Sequence, residues 1–444
     1  MLSRALQQVM LIKPEEQRAV LASFVMVFLL MASYFVLRPV RDAMASDWSD
    51  AEVSFLWNIQ FFLSIALVSV YGFAISRIPF RWVVPTVYAG FALSFLAFLL
   101  VVPKLPNPVL AEKTFYLWVA AFSLFNLSVF WSFMADTFHR EQGERLFAVI
   151  GAGASAGAIL GPGVPTLFAS ALGLENLMLI AALGLFLVVP LIFYIYRLKD
   201  TRLDNSNLAV DIQVHRLGGG WWTGFRDTVR NPYLLAIAAF IVLYVFIGSF
   251  VYFEQKNLLA VYTRPQRTQI LGGIDWVVNS LTFFCAFLVT GRLLRHFGMG
   301  TTLALVPVIV MLGLLVLAFT PVIVVVLAVQ VARRVGNYAV TRPARELLFS
   351  VVSTEERFKA KPVIDVVVYR GGDAASGSLF ALLTDGIGLG LAAVALVGAG
   401  IAAAWSALAF LLGKRFDRRD KIPASAYSRP AARAAATENP IPTN

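Results

Sequence analysis

The sequence predicts an all-α membrane protein of twelve transmembrane helices in two six-helix halves. Three observations predict it. Of 444 residues, 59% are hydrophobic and only 14% charged, where a soluble domain carries about 25% charged residues. The apolar residues come in blocks of about 20 or more, enough for a helix to cross a bilayer. The basic residues fall mainly in short loops and tails on one side of the expected membrane, the positive-inside pattern.

The first half comprises spans at 19–42, 51–75, 82–102, 114–138, 146–170 and 174–196. Pro14 with Glu15 and Glu16 is a helix start signal ahead of the first span. The second half comprises 232–254, 269–294, 300–319, 321–350, 362–385 and 389–413. The expected organisation is therefore 1–196, a cytoplasmic linker 197–231, a second half 232–413 and a disordered cytoplasmic tail 414–444. In the linker, Trp221, Trp222 and Phe225 mix with Arg226 and Arg230. That mixture suits either an interfacial helix or an ordered loop.

Loop charge sets the orientation. Arg77 and Arg81, Arg140 and Arg145, Arg197 and Lys199, Arg292 and Arg295, and Arg357, Lys359 and Lys361 fall on one side, with Lys414, Arg415, Arg418 and Arg419 beyond the last span. The opposite loops are poorer in bases. Both termini are expected in the cytoplasm of a multi-pass protein of the plasma (bacterial inner) membrane. The first apolar run, Ala19 to Leu37, is too long for the h-region of a signal peptide.

Several function classes are excluded. The +11 net charge follows the loops rather than a nucleic-acid face. Cys285 is the single cysteine, and His139, His215 and His296 lie far apart, so no disulfide framework or metal site is expected. No catalytic set, cofactor loop or Walker-type phosphate loop is legible, so neither an enzyme nor an ATP-driven pump is expected.

The chemistry is carried by charges inside the spans. Arg333 lies roughly 18 Å into the apolar stretch that starts at Pro321, near the centre of a core about 30 Å thick. Each charge at that depth costs about 2.5–3.5 kcal/mol on insertion scales, so Arg333 and Arg334 must face protein, water or an anion. Arg334, Tyr338, Arg342 and Arg345 recur at helical spacing as one stripe, of which Arg342 and Arg345 also suit the cytoplasmic end of the span. Guanidinium forks suit phosphate or carboxylate oxygens.

Arg38, Arg41 and Asp42 close the first span on one helix face. They fit either a substrate pathway or arginines reaching for headgroups beside a neutralising acid. In span 11, Asp365 lies near the cytoplasmic start, and Arg370 and Asp373 lie roughly 12 Å and 16 Å from that start. Gly371, Gly372 and Gly377 there permit close helix contact or local unwinding. An Arg370–Asp373 pair at i, i+3 is the structural alternative. Asp136, Glu254 and Asp275 complete the acids, each suited to carry a proton or to pair with an arginine. Asn58, Gln60, Asn126 and Asn279 are polar positions deep in spans.

Two stretches repeat between the halves: GFAISRIPFRWV after span 2 and GRLLRHFGMGTTL after span 8. They resemble the loops of the major facilitator superfamily, whose halves are related by an axis along the membrane normal. Further motifs resemble the ATP/ADP translocase-type nucleotide transporter family. They are Leu37-Arg38-Pro39-Val40-Arg41-Asp42, Phe130-Trp131 with Phe133, Asp136 and Arg145, and Glu254 with Lys256. Pro343-Ala344-Arg345-Glu346 and Lys359-Ala360-Lys361 before Ile364-Asp365-Val366-Val367 are the most specific. The resemblance implies nucleotide exchange, or import with protons, within a major-facilitator-like fold. It implies functional charges at Arg41, Asp136 and Glu254, and a lysine where this chain has Asp373.

The reading that joins these features is a secondary transporter of an anionic, nucleotide-like or phosphorylated metabolite, working in the lipid bilayer without a cofactor. Arg38, Arg41, Arg333, Arg334, Tyr338 and Arg370 would bind substrate. Asp42, Asp136, Glu254, Asp275, Asp365 and Asp373 would couple or pair charges. The alternative is a proton-coupled exporter of an organic solute that uses Asp373, Asp275 and Glu254. The sequence names no protein partner.

Overall fold

The computed structural model describes residues 12–203, 223–288, 290–352, 360–361 and 363–420. No strand occurs among them. The helices are α1 Gln17–Ala45, α2 Asp50–Arg77, α3 Phe80–Val101, α4 Val109–Thr137, α5 Arg140–Leu160 and α6 Gly163–Thr201. The short α7 Thr223–Arg230 precedes α8 Pro232–Leu259, α9 Arg264–Leu288, α10 Thr290–Phe319 and α11 Ile323–Gly336. After α12 Arg342–Leu348 come α13 Tyr369–Ala381 and α14 Leu391–Asp420.

Among the described residues, ten helices are long and apolar enough to cross a membrane. The other two expected spans, 269–294 and 362–385, are helical over their described residues. Large apolar side chains such as Phe55, Phe62, Ile65 and Phe73 on α2 are exposed, as a lipid-facing surface requires.

Turn chemistry explains where the helices break. Gly173 lies at φ 76 inside α6 and Gly298 at φ 70 inside α10. Left-handed backbone there favours glycine, and these are the expected turns between spans 5 and 6 and spans 8 and 9. Ser49 starts α2 through a capping box. Its hydroxyl accepts from Glu52 N at 3.1 Å, and Glu52 accepts from Ser49 N at 2.9 Å.

Helix ends run beyond the expected spans. α14 continues to Asp420, so the segment after 413 begins as helix rather than disordered tail. Basic residues suit a helix C-terminus, and Arg419 sits 4.4 Å over the Tyr233 ring. In the linker, Thr223–Arg230 is helical, while Gly218, Trp221 and Trp222 lie outside the described residues, as do Arg357, Lys359 and residues 421–444.

The chain forms two compact units. One is Met1–His215 with Lys256–Ser280, the other Arg216–Gln255 with Leu281–Asn444. In the first, α1 packs against α4, α5 and α6. Gly153 and Gly157 on α5, with Gly161 at its C-cap, bring the backbone against α1. A Cβ at Gly157 would strike the Phe28 carbonyl, and one at Gly161 would lie 2.8 Å from Ala32 Cα. Asn126 donates to Leu30 O at 3.4 Å and Asn279 to Ala158 O at 2.6 Å, so both tie helices together. Asn58 instead bonds within its own helix, to Ser54 O. In the second unit, α10 packs against α14 and α11, and a Cβ at Gly413 would strike Gly300.

Candidate functional site

The charges of the first unit gather where α1 ends. Arg41 is half-clamped by its neighbour: its Nε and NH2 donate to Asp42 Oδ1 at 2.9 and 2.6 Å. Its guanidinium lies 5.1 Å from the Tyr116 ring centroid, a cation–π distance. Arg38 reaches Asp42 at 3.7 Å and Asp275 at 3.5 Å. Four predicted residues, Arg38, Arg41, Asp42 and Asp275, are thus brought together. The Arg38 contacts exceed the 2.7–2.9 Å of tight charge-assisted bonds, whereas Arg41–Asp42 falls at or below that range.

A second network in the same unit involves bases that the sequence placed in a loop. Arg264 bonds Glu112 at 2.6 and 3.0 Å and Asp47 at 2.6 Å. Arg267 also bonds Asp47, and Lys256 pairs with Asp50. Asp136 pairs with Lys199 at 3.0 Å, far along α4 from the Arg38 cluster. Glu16 accepts from Arg145 at 2.8 Å.

The second unit holds the most deeply placed arginines. Arg333 and Arg334 are 8% and 6% exposed. Arg333 donates through Nε and NH2 to Gln330 Oε1 at 3.1 and 2.8 Å, and has no carboxylate within ion-pair distance among the described residues. Its NH1 lies against Gly248 of α8, 3.0 Å from where a Cβ would stand. Arg370 and Asp373 are 3.5 Å apart, the i, i+3 pair that the spacing allowed. The Arg333 charge acts on Asp373 and on Tyr244. The Tyr244 ring lies 6.3 Å from the Tyr369 ring, with Tyr338 near it. Arg333, Tyr338, Arg370 and Asp373 therefore form one neighbourhood.

Span 10 departs from the uniform stripe. Residues Asn337–Thr341 are π-helical, which inserts one residue into the register and turns the helix beyond it by about 100°. Tyr338 is 38% exposed while Arg334 is buried. Beyond the bulge, Arg345 pairs with Asp365 at 3.4 Å and with Glu346 at 3.5 Å, apart from the Arg333 group. Span 11 is also irregular: Val363–Val368 and Leu382–Gly386 are π-helical, and Tyr369–Ala381 between them is α-helical. Gly372 in its middle serves close contact, since a Cβ there would meet Val245 at 3.2 Å, whereas nothing lies within 4 Å of one at Gly371. Glu254 is fully buried near the end of α8.

Sequence reasoning missed Gln330, Tyr244, Tyr369 and Tyr116. Gln330 was findable, because it lies three residues before Arg333 in an otherwise apolar run, on the same helix face. The tyrosines carry no local signal, since an aromatic residue in an apolar span is ordinary.

Apolar helices long enough to span a bilayer, with arginines and acids held inside them, define a multi-pass membrane transporter. The chain belongs to the Major Facilitator Superfamily, whose family profile matches residues 23–357. It is similar to ADP,ATP carrier protein 1 of Chlamydia muridarum (strain MoPn / Nigg), 25% identical over 440 residues that cover 82% of this chain and 81% of that protein. The ADP,ATP carrier protein 1 of Chlamydia trachomatis serovar D is 24% identical with the same coverage. Among solved structures, the nucleoside transporter NupG shares the fold at TM-score 0.61 and 13% identity, covering 93% of this chain and 100% of that one. A bacterial homologue of the human lysosomal transporter Spinster, inward-facing and occupied, also gives TM-score 0.61, at 14% identity and the same coverage.

Proposed function

We propose that this protein is a secondary active transporter of an anionic, nucleotide-like metabolite, working by alternating access between two six-helix halves, 1–196 and 232–413. The observation that carries the reading is Arg333. A guanidinium 8% exposed, held by an amide and with no carboxylate within ion-pair distance among the described residues, keeps its charge available to an anion. Gln330 fixes its orientation without neutralising it. The carrier relatives, similar over 82% of the chain, support a nucleotide as the anion.

In this reading Arg333 and Arg370 hold phosphate oxygens in the second unit, and Arg38 does so in the first. The long pairs at Arg38 and Arg370 let a phosphate replace a carboxylate at small cost, whereas Arg41 stays with Asp42. Arg334, Tyr338, Asp136, Glu254 and Asp365 support the pathway. Arg370, one turn before Asp373, takes over from the lysine that the family resemblance implies at the Asp373 position. The protein sits in the bacterial inner membrane with both termini in the cytoplasm.

Uptake of labelled ATP into proteoliposomes, with and without internal ADP, tests the proposal. Uptake that needs internal nucleotide identifies exchange. Uptake without it, driven by an inward proton gradient, identifies proton-linked import. Absence of uptake, with no inhibition by other phosphates and carboxylates, would sink the reading.

A further inference from the structure

A nucleotide has two chemically distinct ends, and arginines answer only one of them. The phosphate end needs charge, while the base needs flat apolar surface near that charge. The second unit holds such surface beside Arg333. Tyr244 on α8 and Tyr369 at the start of α13 have ring centroids 6.3 Å apart, inclined by 50°. Behind Tyr244 stands Trp405, 5.7 Å away and fully buried. Phe240, also buried, backs Trp405 at 5.6 Å. The Tyr244 ring is therefore held from one side by a wall that does not yield.

None of the three rings is fully enclosed. Tyr244 and Tyr369 keep partial exposure, and Tyr338 is 38% exposed. Surface of this kind could belong to a lipid-facing helix, but here the Arg333 guanidinium lies against Gly248, one turn from Tyr244 on α8, and Asp373 lies one turn from Tyr369 on α13. Charges at this position do not face hydrocarbon. The open ring surfaces therefore line a polar recess, where aromatic side chains next to a guanidinium are the combination that stacks nucleobases.

We propose that Tyr244 and Tyr369, with Tyr338 beside them, form a nucleobase subsite adjoining the phosphate-holding Arg333. The inference rests on the nucleotide-like reading above. It assigns the tyrosines a role in holding the base, separate from the arginines' role in holding phosphate.

The test uses the full chain in proteoliposomes. Uptake of labelled ATP is inhibited with unlabelled triphosphates of four different bases, and with inorganic tripolyphosphate. In the unaltered protein, the nucleoside triphosphates are expected to inhibit more strongly than tripolyphosphate. Tyr369→Leu and Tyr244→Leu should shrink that advantage by roughly five- to 150-fold, the range of one base–aromatic contact. Inhibition by tripolyphosphate itself should stay unchanged, and Tyr369→Phe should keep the advantage. If a leucine variant does not fold, Tyr338→Leu, at the more exposed ring, carries the same comparison. An advantage over tripolyphosphate that survives in the leucine variants would overturn the subsite. Loss of tripolyphosphate inhibition in those variants would also overturn it, because the rings would then belong to the frame. An unaltered protein that takes up ATP but is inhibited equally by tripolyphosphate overturns the subsite alone. One that takes up no nucleotide overturns the parent reading.

Discussion

Lys256 and Asp50 form a buried ion pair: the ammonium lies 2.7 Å from Asp50 Oδ1, with the two side chains 3% and 5% exposed. Lys256 also donates to the Trp48 carbonyl at 2.7 Å, and Asn257 donates to the second Asp50 oxygen at 3.0 Å. A base that the sequence places in a loop is thus enclosed. Such a pair stabilises only while both members are present, because either one alone is a desolvated charge.

Lys256→Met should therefore destabilise the protein by about 3–5 kcal/mol, the cost of stranding a buried partner. The double variant Lys256→Met with Asp50→Leu should regain much of that loss. Thermal unfolding in detergent measures both. Equal midpoints for the single variant and the unaltered protein would contradict the burial.

Arg333→Gln should abolish nucleotide uptake, and Arg333→Lys should lower it at least about tenfold. Lysine keeps the charge but loses the planar fork that grips Gln330 and a phosphate together. Initial rates over a range of ATP concentrations check this. Near-normal uptake by Arg333→Gln would remove the residue on which the proposed site depends.

Gly157→Ala should lower stability by about 1–3 kcal/mol, the usual cost of overpacking, and Gly157→Leu should prevent folding. The reason is local: the added Cβ meets the Phe28 carbonyl and lies 3.0 Å from Met31 Cβ. Gly163→Ala makes a control, since nothing lies within 4 Å of its added Cβ. Unfolding midpoints for the three variants decide the point.

Asp47 predicts a pH dependence outside the spans. Burial pushes its carboxyl up, but hydrogen bonds from Arg267 and Arg264 outweigh burial and hold it below its ordinary value of 3.8. A depressed folded pKa means that the contribution is fully present above that ordinary value. It is lost as pH falls through the lower, folded one. Asp47→Asn should therefore lower the unfolding midpoint at neutral pH, with the difference from the unaltered protein shrinking below about pH 4. A difference that stays constant into that acid range would refute the linkage.

Much of the fold was legible because a bilayer imposes strong constraints. Long apolar runs gave the helices, and Gly173 and Gly298 fall in the expected turns between spans. The ends were less legible. α14 runs on to Asp420 because charged residues continue a helix into water as readily as they end a span. The π-helical turn at Asn337–Thr341 left no mark in the side-chain pattern, so the stripe through Arg334, Tyr338, Arg342 and Arg345 looked continuous when it was not.

The sequence by itself determined which charges had to be satisfied inside the protein, because an arginine such as Arg333 in an apolar span has no solvent to turn to. Only the tertiary structure decided how each was satisfied. Arg333 meets an amide three residues away, Arg370 meets Asp373, and Arg38 meets Asp275 on another helix. The cost of burying a charge is a property of the residue and its depth, readable along one dimension. The choice of partner depends on which helix faces are adjacent and on their register, which no local stretch of chain contains.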